Sequence, residues 1–464
     1  MKSFKFYLSC LFSVLFIFSV RAQTTDSTHY RFLRQIYDYA LTQADCYENL
    51  RHICKEIGPR LSGSPQASQA IDYTTQLMQG YAFDTVFRQK VEVPHWVRGE
   101  KEIAYAQTAS GKKELPVCAL GGSIATPKNG LEASLIMVHD FEELEKLGKK
   151  QIKGKIVFFN RPMPPTCIHT FDAYGKTVDQ RFAGAAEAAK YGAAGVVVRS
   201  MGLRNDDFPH TGSMKYYGDG KKIPAVAISV NGADYLKEQI ESGNDVNFFF
   251  KTHCQTLPDA LSHNVIGELY GSDQKDAFII AGGHLDSWDM GEGAHDDGAG
   301  TVQAIEALRI LKNLGYPPKH NIRAVLFMNE ENGMRGAKKY AELLKENNEK
   351  HIAAIESDRG GFTPRGFSFE GVDENSALIA FLKREFAPFN MLQWDAGHSG
   401  PDIRQLNKHE TMLFGYIPDS QRYFDVHHAD SDVFEAVHKR ELELGAAALA
   451  ALIYLIDQNL YHKK

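Results

Sequence analysis

Three apolar runs in the second half of the chain predict its architecture. Ala277-Phe278-Ile279-Ile280-Ala281, Ile322 to Met328 and Ile352 to Glu356 are short, nearly unbroken, and followed closely by glycine or polar residues. Runs of that length without alternation suit strands of a parallel sheet buried on both faces. Helical spacing separates them. Val302, Ile305, Leu308, Ile310 and Leu311 follow Asp297-Gly298 and stop at Gly315 and Pro317-Pro318, a helix with its ends marked. Further helices are predicted over Arg335 to Lys345, Ser376 to Phe386 and the alanine-rich stretch Glu441 to Asp457, with a strand over Met412 to Ile417.

The first part of the chain is organised differently. Tyr30 to Ile57 carries apolar residues at helical spacing and closes at Gly58-Pro59; Ser64-Pro65 caps a helix over Gln66 to Met78, and Val86 to Val93 alternates like a strand. Between about Pro94 and Cys254 a second α/β unit is predicted, with strands at Ser134 to Val138, Lys155 to Phe159, Gly195 to Arg199 and Ala225 to Ser229. Helical patterns at Phe182 to Tyr191 and Ala233 to Ser242 lie among them. A chain of 464 residues is too long for one ordinary core, so two domains are expected.

Composition narrows the class. Hydrophobic content of 43% with 24% charged residues is that of a soluble globular protein. Lys2 and Lys5 precede an apolar run from Phe6 to Val20, and Val20-Arg21-Ala22 supplies small residues for cleavage, so the start reads as a secretory signal peptide cut near Ala22. The mature chain is then expected to be secreted or periplasmic, with no stable membrane insertion. Loss of Lys2, Lys5 and Arg21 takes the formal charge from −6 to −9, which argues against nucleic acid as a partner. Cys46, Cys54, Cys118, Cys167 and Cys254 are scattered and form no CxxC pair, so they define neither a zinc knuckle nor a disulfide framework.

Candidate chemistry concentrates where the apolar runs end, the place at which open parallel sheets hold their ligands. The first run leads into AGGHLDSWDMGEGAHDDGAG, residues 281–300. His284 and Asp286 stand two apart, so in extended backbone both face one side. Asp296 and Asp297 follow before the helix. The second run ends in Asn329-Glu330-Glu331-Asn332-Gly333, the third in Ser357-Asp358-Arg359-Gly360-Gly361, and a late loop, residues 423–432, carries His427 and His428. Imidazoles mixed with carboxylates suit zinc or a similar divalent ion. Five ligands with one shared carboxylate suffice for two ions about 3.5–4 Å apart, as in hydrolytic two-metal sites. Two adjacent glutamates on a surface helix would mean nothing; after a buried strand, one can bind metal while the other faces the water between the ions. His169, His210 and His253 stand alone and read as ordinary surface or core residues.

The blocks GGHLDSWD, GAHDDGAG, NEENGMRGA, ESDRGG and YFDVHHADSD resemble those of the M28 metallopeptidases. GPRLSGS at Gly58 to Ser64 and VPHWVRGE at Val93 to Glu100 narrow the resemblance to the carboxypeptidase Q branch, and Gly154 to Phe159 with Ala183 to Val198 resembles a protease-associated domain. The resemblance implies an α/β phosphorylase/hydrolase-like zinc exopeptidase fold: a central mixed, mostly parallel sheet flanked by helices, plus an inserted protease-associated domain. Its implied boundaries are 1–22 for the signal peptide, 23–93 and 255–464 for the catalytic domain, and 94–254 for the insert. It implies two Zn2+ per chain, with His284 and Asp358 on one, Glu331 and His428 on the other, and Asp296 bridging. Glu330 takes the general-base position, acting on a metal-bridged water. Asp286 orients His284, and Asp297 follows Asp296 across an unusual cis peptide. The resemblance prefers His428 to His427, because His428 lies four residues before Asp432 as the family's spacing has it; His427 is left as an outer support or a substrate contact, and His295 as a substrate contact or simply an exposed residue. The implied substrates are short peptides or dipeptides, with the direction of cleavage open, and the implied assembly is a homodimer. Two alternatives fit less of the sequence. Single-zinc glutaminyl cyclase-like enzymes lack the first histidine ligand, and a non-catalytic receptor-like protein would show broken ligands.

Overall fold

The structure is a computed structural model that describes residues 28–217 and 220–461; the signal peptide and its cleavage point near Ala22 lie outside the described residues. Its centre is an eight-stranded sheet ordered Thr85–Val97, Gln255–Leu269, His320–Phe327, Gln274–His284, Lys350–Glu356, Met412–Pro418, Pro364–Glu370, Gln393–Ala396. The strand Gln274–His284 pairs in parallel with both neighbours, and Lys350–Glu356 continues the parallel run to Met412–Pro418. The alternation within these strands feeds two cores, because successive side chains leave opposite faces. Ile279, Ala281, Ile322, Ala324 and Ile355 join the larger core on one face. Phe278, Ile280, Val325, Phe327 and Ala354 join the smaller core on the other. Helices cover both. Ala299–Asn313 and Lys439–Tyr461 pack together over the larger core, where Gly445 permits close approach: a Cβ there would stand 2.0 Å from Gln303 Nε2. Arg335–Asn347 covers the other face.

The sheet is mixed, as expected, but its antiparallel edge is larger than the sequence pattern predicts. Gln255–Leu269 pairs antiparallel with Thr85–Val97 along almost its whole length. The first half of Gln255–Leu269 is exposed, so no apolar period marks it. The register shifts between Val93 and His95, where Pro94 offers no N–H to the ladder. Pro364–Glu370 was equally invisible, since Arg365 and Gly366 interrupt its pattern. Gly366 is needed there, because a Cβ would meet Gln393 O at 1.6 Å.

The chain leaves the central sheet after Val97 and returns at Gln255, and a second eight-stranded sheet lies between, with strands from Ile103–Thr108 to Asn247–Lys251. Its middle strands Ile156–Phe159, Gly195–Arg199 and Ala225–Ile228 are fully buried and parallel. One face of the unit rests against the loop that carries His427 and His428, through aromatic contacts of Phe171 with Tyr423 and Phe424.

Candidate metal centre

His284 is the last residue of the strand Gln274–His284. Its Nδ1 is 2.9 Å from the backbone oxygen of Asp286, which leaves Nε2 free to face Asp296 Oδ1 at 3.3 Å and Asp358 Oδ1 at 3.4 Å. On the other side of the same carboxylate, Asp296 Oδ2 lies 3.1 Å from His428 Nε2. His428 Nε2 is also 3.2 Å from Glu331 Oε2. The four outer residues and the shared aspartate, far apart in sequence, therefore converge on one point of the sheet edge.

The surrounding backbone fixes each side chain. Asp297 Oδ2 accepts the N–H of His284 at 3.0 Å and Oδ1 that of Gly300 at 2.9 Å, tying the strand end to the helix start. The Asp296–Asp297 peptide is cis. Asp432 accepts the N–H groups of His295 and Asp296 at 2.8 and 3.1 Å. Asp286 Oδ1 is 3.9 Å from the His284 ring; it accepts instead from the N–H groups of Asn329 at 2.7 Å and Glu330 at 3.1 Å. The side chain thus braces the turn that presents Glu330 and Glu331, while the main chain of the same residue orients His284.

These spacings match the donor set of a divalent ion. Ligands about 2.0–2.1 Å from a tetrahedral zinc stand roughly 3.3–3.4 Å from one another. Asp296 Oδ2 is buried and faces only the imidazole nitrogens of His428 and His427, a carboxylate oxygen whose burial is costly unless a cation compensates it. Burial would raise the Asp296 carboxyl, but the His284 and His428 rings outweigh that and hold it well below the usual range. Burial and then Asp296 push Glu331 up to about 7, and Glu331 and Asp296 raise His428 to about 9 against its burial. Glu330, buried and near Asp358 and Glu331, is pushed well above the ordinary glutamate value.

The centre opens on a cavity of about 640 Å³ whose wall includes Glu330, Glu331, Asp358 and His428. Sequence reasoning missed what closes it. Phe171, Tyr174 and Arg181 come from the second unit, where nothing in the local pattern signalled function. Arg181 is 6% exposed and donates to Tyr174 Oη at 2.8 Å, yet forms no ion pair among the described residues. Arg359, beside Asp358, meets Ser399 O and the Phe171 ring. Arg335 and Arg404 pair with Asp259 and Glu370 in exposed bridges. His295 is neither exposed nor aimed at the cavity: it stacks on Phe362, accepts from Gly361 N and lies 3.2 Å from Ala436 O. His427 stacks on His428, with Nε2 3.6 Å from Asp296 Oδ2. His210, which reads as an ordinary residue in the sequence, is buried near that pair, and burial pushes it down to about 3.

Residues 264–453 match the model of Peptidase family M28. Carboxypeptidase Q of Xenopus laevis is 35% identical over 437 residues, covering 94% of this chain and 91% of that one. The human carboxypeptidase Q is 33% identical over 418 residues, covering 90% and 86%. A crystal structure of a peptidase M28 precursor from Shewanella amazonensis superposes with a TM-score of 0.87 at 31% identity, covering 92% of this chain and 96% of that one. The chain belongs to peptidase family M28, and it is a metallo-exopeptidase. Within the family it falls in the carboxypeptidase Q branch.

Proposed function

We propose that this chain is a secreted or periplasmic di-zinc exopeptidase that hydrolyses short peptides, dipeptides above all. The observation that carries the reading is the Asp296 carboxylate, which turns one oxygen toward His284 and the other toward His428 at 3.3 and 3.1 Å. Asp358 completes the first set and Glu331 the second, with Asp296 bridging. Two zinc ions held there would acidify a shared water and polarise the scissile carbonyl.

The chain's own residues supply the rest. Glu330 lines the cavity next to Glu331 and Asp358. A carboxylate raised toward neutrality suits a general base: it takes the proton of the attacking water and hands it to the departing amine. Asp286 keeps the Glu330 turn in place and, through its carbonyl, directs His284 Nε2 inward. Arg181 and Arg359 present guanidinium groups to the cavity with no carboxylate partner among the described residues. They favour a substrate with a free carboxylate, which a guanidinium binds strongly in a desolvated site. The reading is therefore a dipeptidase or carboxypeptidase rather than an aminopeptidase.

The second unit corresponds to a protease-associated insert over residues 94–254. Lys2, Lys5 and the apolar run to Val20 support export, and among the described residues no helix is long and apolar enough to cross a membrane. Pairing as a homodimer belongs to the same reading. Zinc-loaded protein incubated with a dipeptide library, free or blocked at either end, tests it. Free dipeptides are expected to be cut and C-terminal amides spared; cleavage of no peptide at all overturns the function, and equal cleavage of acids and amides overturns the direction.

A further inference from the structure

The two sets of metal-facing residues are supported in different ways. His284 and Asp358 sit at strand ends of the central sheet: His284 ends one strand with its N–H on Asp297, and Asp358 follows Lys350–Glu356 directly after Ser357, whose N–H donates to Gly282 O at 3.0 Å. Glu331 and His428 sit on loops, and their nearest supports lead into the second unit.

His428 is held from that unit by Thr211, with Arg181 alongside. Thr211 N donates to His428 O at 2.9 Å, and His428 Nδ1 is 3.3 Å from Thr211 O. Nδ1 thus faces the inserted unit, with Arg181 Nη1 3.4 Å away as well, and Nε2 is left turned toward Asp296. His428 has φ 63, a left-handed conformation uncommon outside glycine, so the grip holds a backbone that local preference does not. Gly212 makes the approach possible: its φ is 136, and a Cβ would stand 2.7 Å from His428 Nδ1 and 2.4 Å from the Arg181 guanidinium.

Glu331 is held through Trp288. The backbone N–H of Trp288 donates to Glu331 Oε1 at 3.2 Å. The outer end of the Trp288 indole lies against Gly121 of the second unit, where a Cβ would fall 1.8 Å from the ring. The same indole meets the His428 ring at a centroid distance of 5.8 Å. The two supports are themselves joined, since Gly121 N donates to Gly212 O at 2.9 Å and Thr211 Oγ1 to Ala119 O at 2.8 Å. Arg98 clamps the assembly, donating to Asp289 at 2.6 and 2.9 Å and to Thr211 Oγ1 at 3.3 Å.

We infer that Gly121 and the Thr211–Gly212 segment of the inserted unit are positioning residues for the second metal site, acting through Trp288 on Glu331 and directly on His428. The inserted unit is thus a structural part of one metal site and not of the other. Affinity for the second cation depends on how that unit seats, while affinity for the first depends chiefly on the central sheet. The inference rests on the two-metal reading above.

Stepwise zinc titration of the metal-free full chain, with metal analysis after dialysis, tests it. Gly121→Ala and Gly212→Ala are compared with wild type and with Gly243→Ala, a left-handed glycine of the same unit with open space around it. Wild type and Gly243→Ala are expected to bind two zinc ions alike. The two site variants are expected to bind the first with unchanged affinity and the second about 10–100-fold more weakly, the range seen for outer supports of metal ligands, with activity recovered in excess zinc. Equal weakening of both sites, or of neither, overturns the inference. Wild type binding fewer than two ions overturns the two-metal reading instead. Should the alanine variants fail to fold, Thr211→Val removes only the side-chain tether and is expected to show the same split in smaller measure; no split there overturns the inference as well.

Discussion

His284 and His428 approach one carboxylate from opposite sides: their Nε2 atoms lie 3.3 and 3.1 Å from Asp296 Oδ1 and Oδ2 respectively. Among the described residues no other acid lies within 4 Å of both rings, so Asp296 joins the two halves of the centre. Asp296→Ala is expected to lose at least one zinc per chain. Metal analysis of the purified variant checks this, and full occupancy of two sites would sink the bridging role.

Glu330→Gln keeps the size and the turn but cannot accept a proton. Turnover is expected to fall by about 10²–10⁴-fold, the usual contribution of a positioned general base, with zinc content near that of wild type. Steady-state rates on a dipeptide together with metal analysis separate this outcome from simple metal loss.

Asp296, Glu331 and Asp358 crowd together with Glu330 nearby, and burial or mutual repulsion raises most of them. Cations should relieve that repulsion in the folded state only. Chelation is therefore expected to lower the thermal midpoint and zinc to restore it. Free zinc at about 100 times Kd would add about 2.7 kcal/mol per site. A midpoint unmoved by chelator and zinc would contradict a centre built for metal.

Glu306 offers a pH test remote from the centre. It is buried in Ala299–Asn313, bonded to Arg309 at 2.7 Å and to Asp45 N at 3.3 Å. Burial outweighs Arg309 and pushes its carboxyl up to about 7 from 4.5. The folded state thus holds this proton more tightly than the unfolded one, so the contribution is present below about pH 4.5 and lost as pH rises through 7. Glu306→Gln is expected to raise the thermal midpoint at pH 8 and to leave it nearly unchanged at pH 4.5. Melting curves at the two values decide it; a destabilised variant at pH 8 would show that the Arg309 pair dominates.

The sequence by itself determined the parallel heart of the fold and the cast of its centre. Unbroken runs such as Ile322 to Met328 read as buried strands because both of their faces are covered, and acids and histidines placed where such runs stop share one edge of a sheet. It could not show the strand Gln255–Leu269, whose exposed half has no period to read. Nor could it show that His284 is oriented by a carbonyl, since the main chain has no letter of its own. Tertiary structure alone decided what meets the centre from the second unit. Tyr174, Arg181, Thr211 and Gly212 lie far from every metal-type block in sequence, and only the packing of Trp288 on Gly121 and of Phe171 on Tyr423 brings them there. Local pattern records which face of an element is apolar; it carries no record of which distant surface that face will touch.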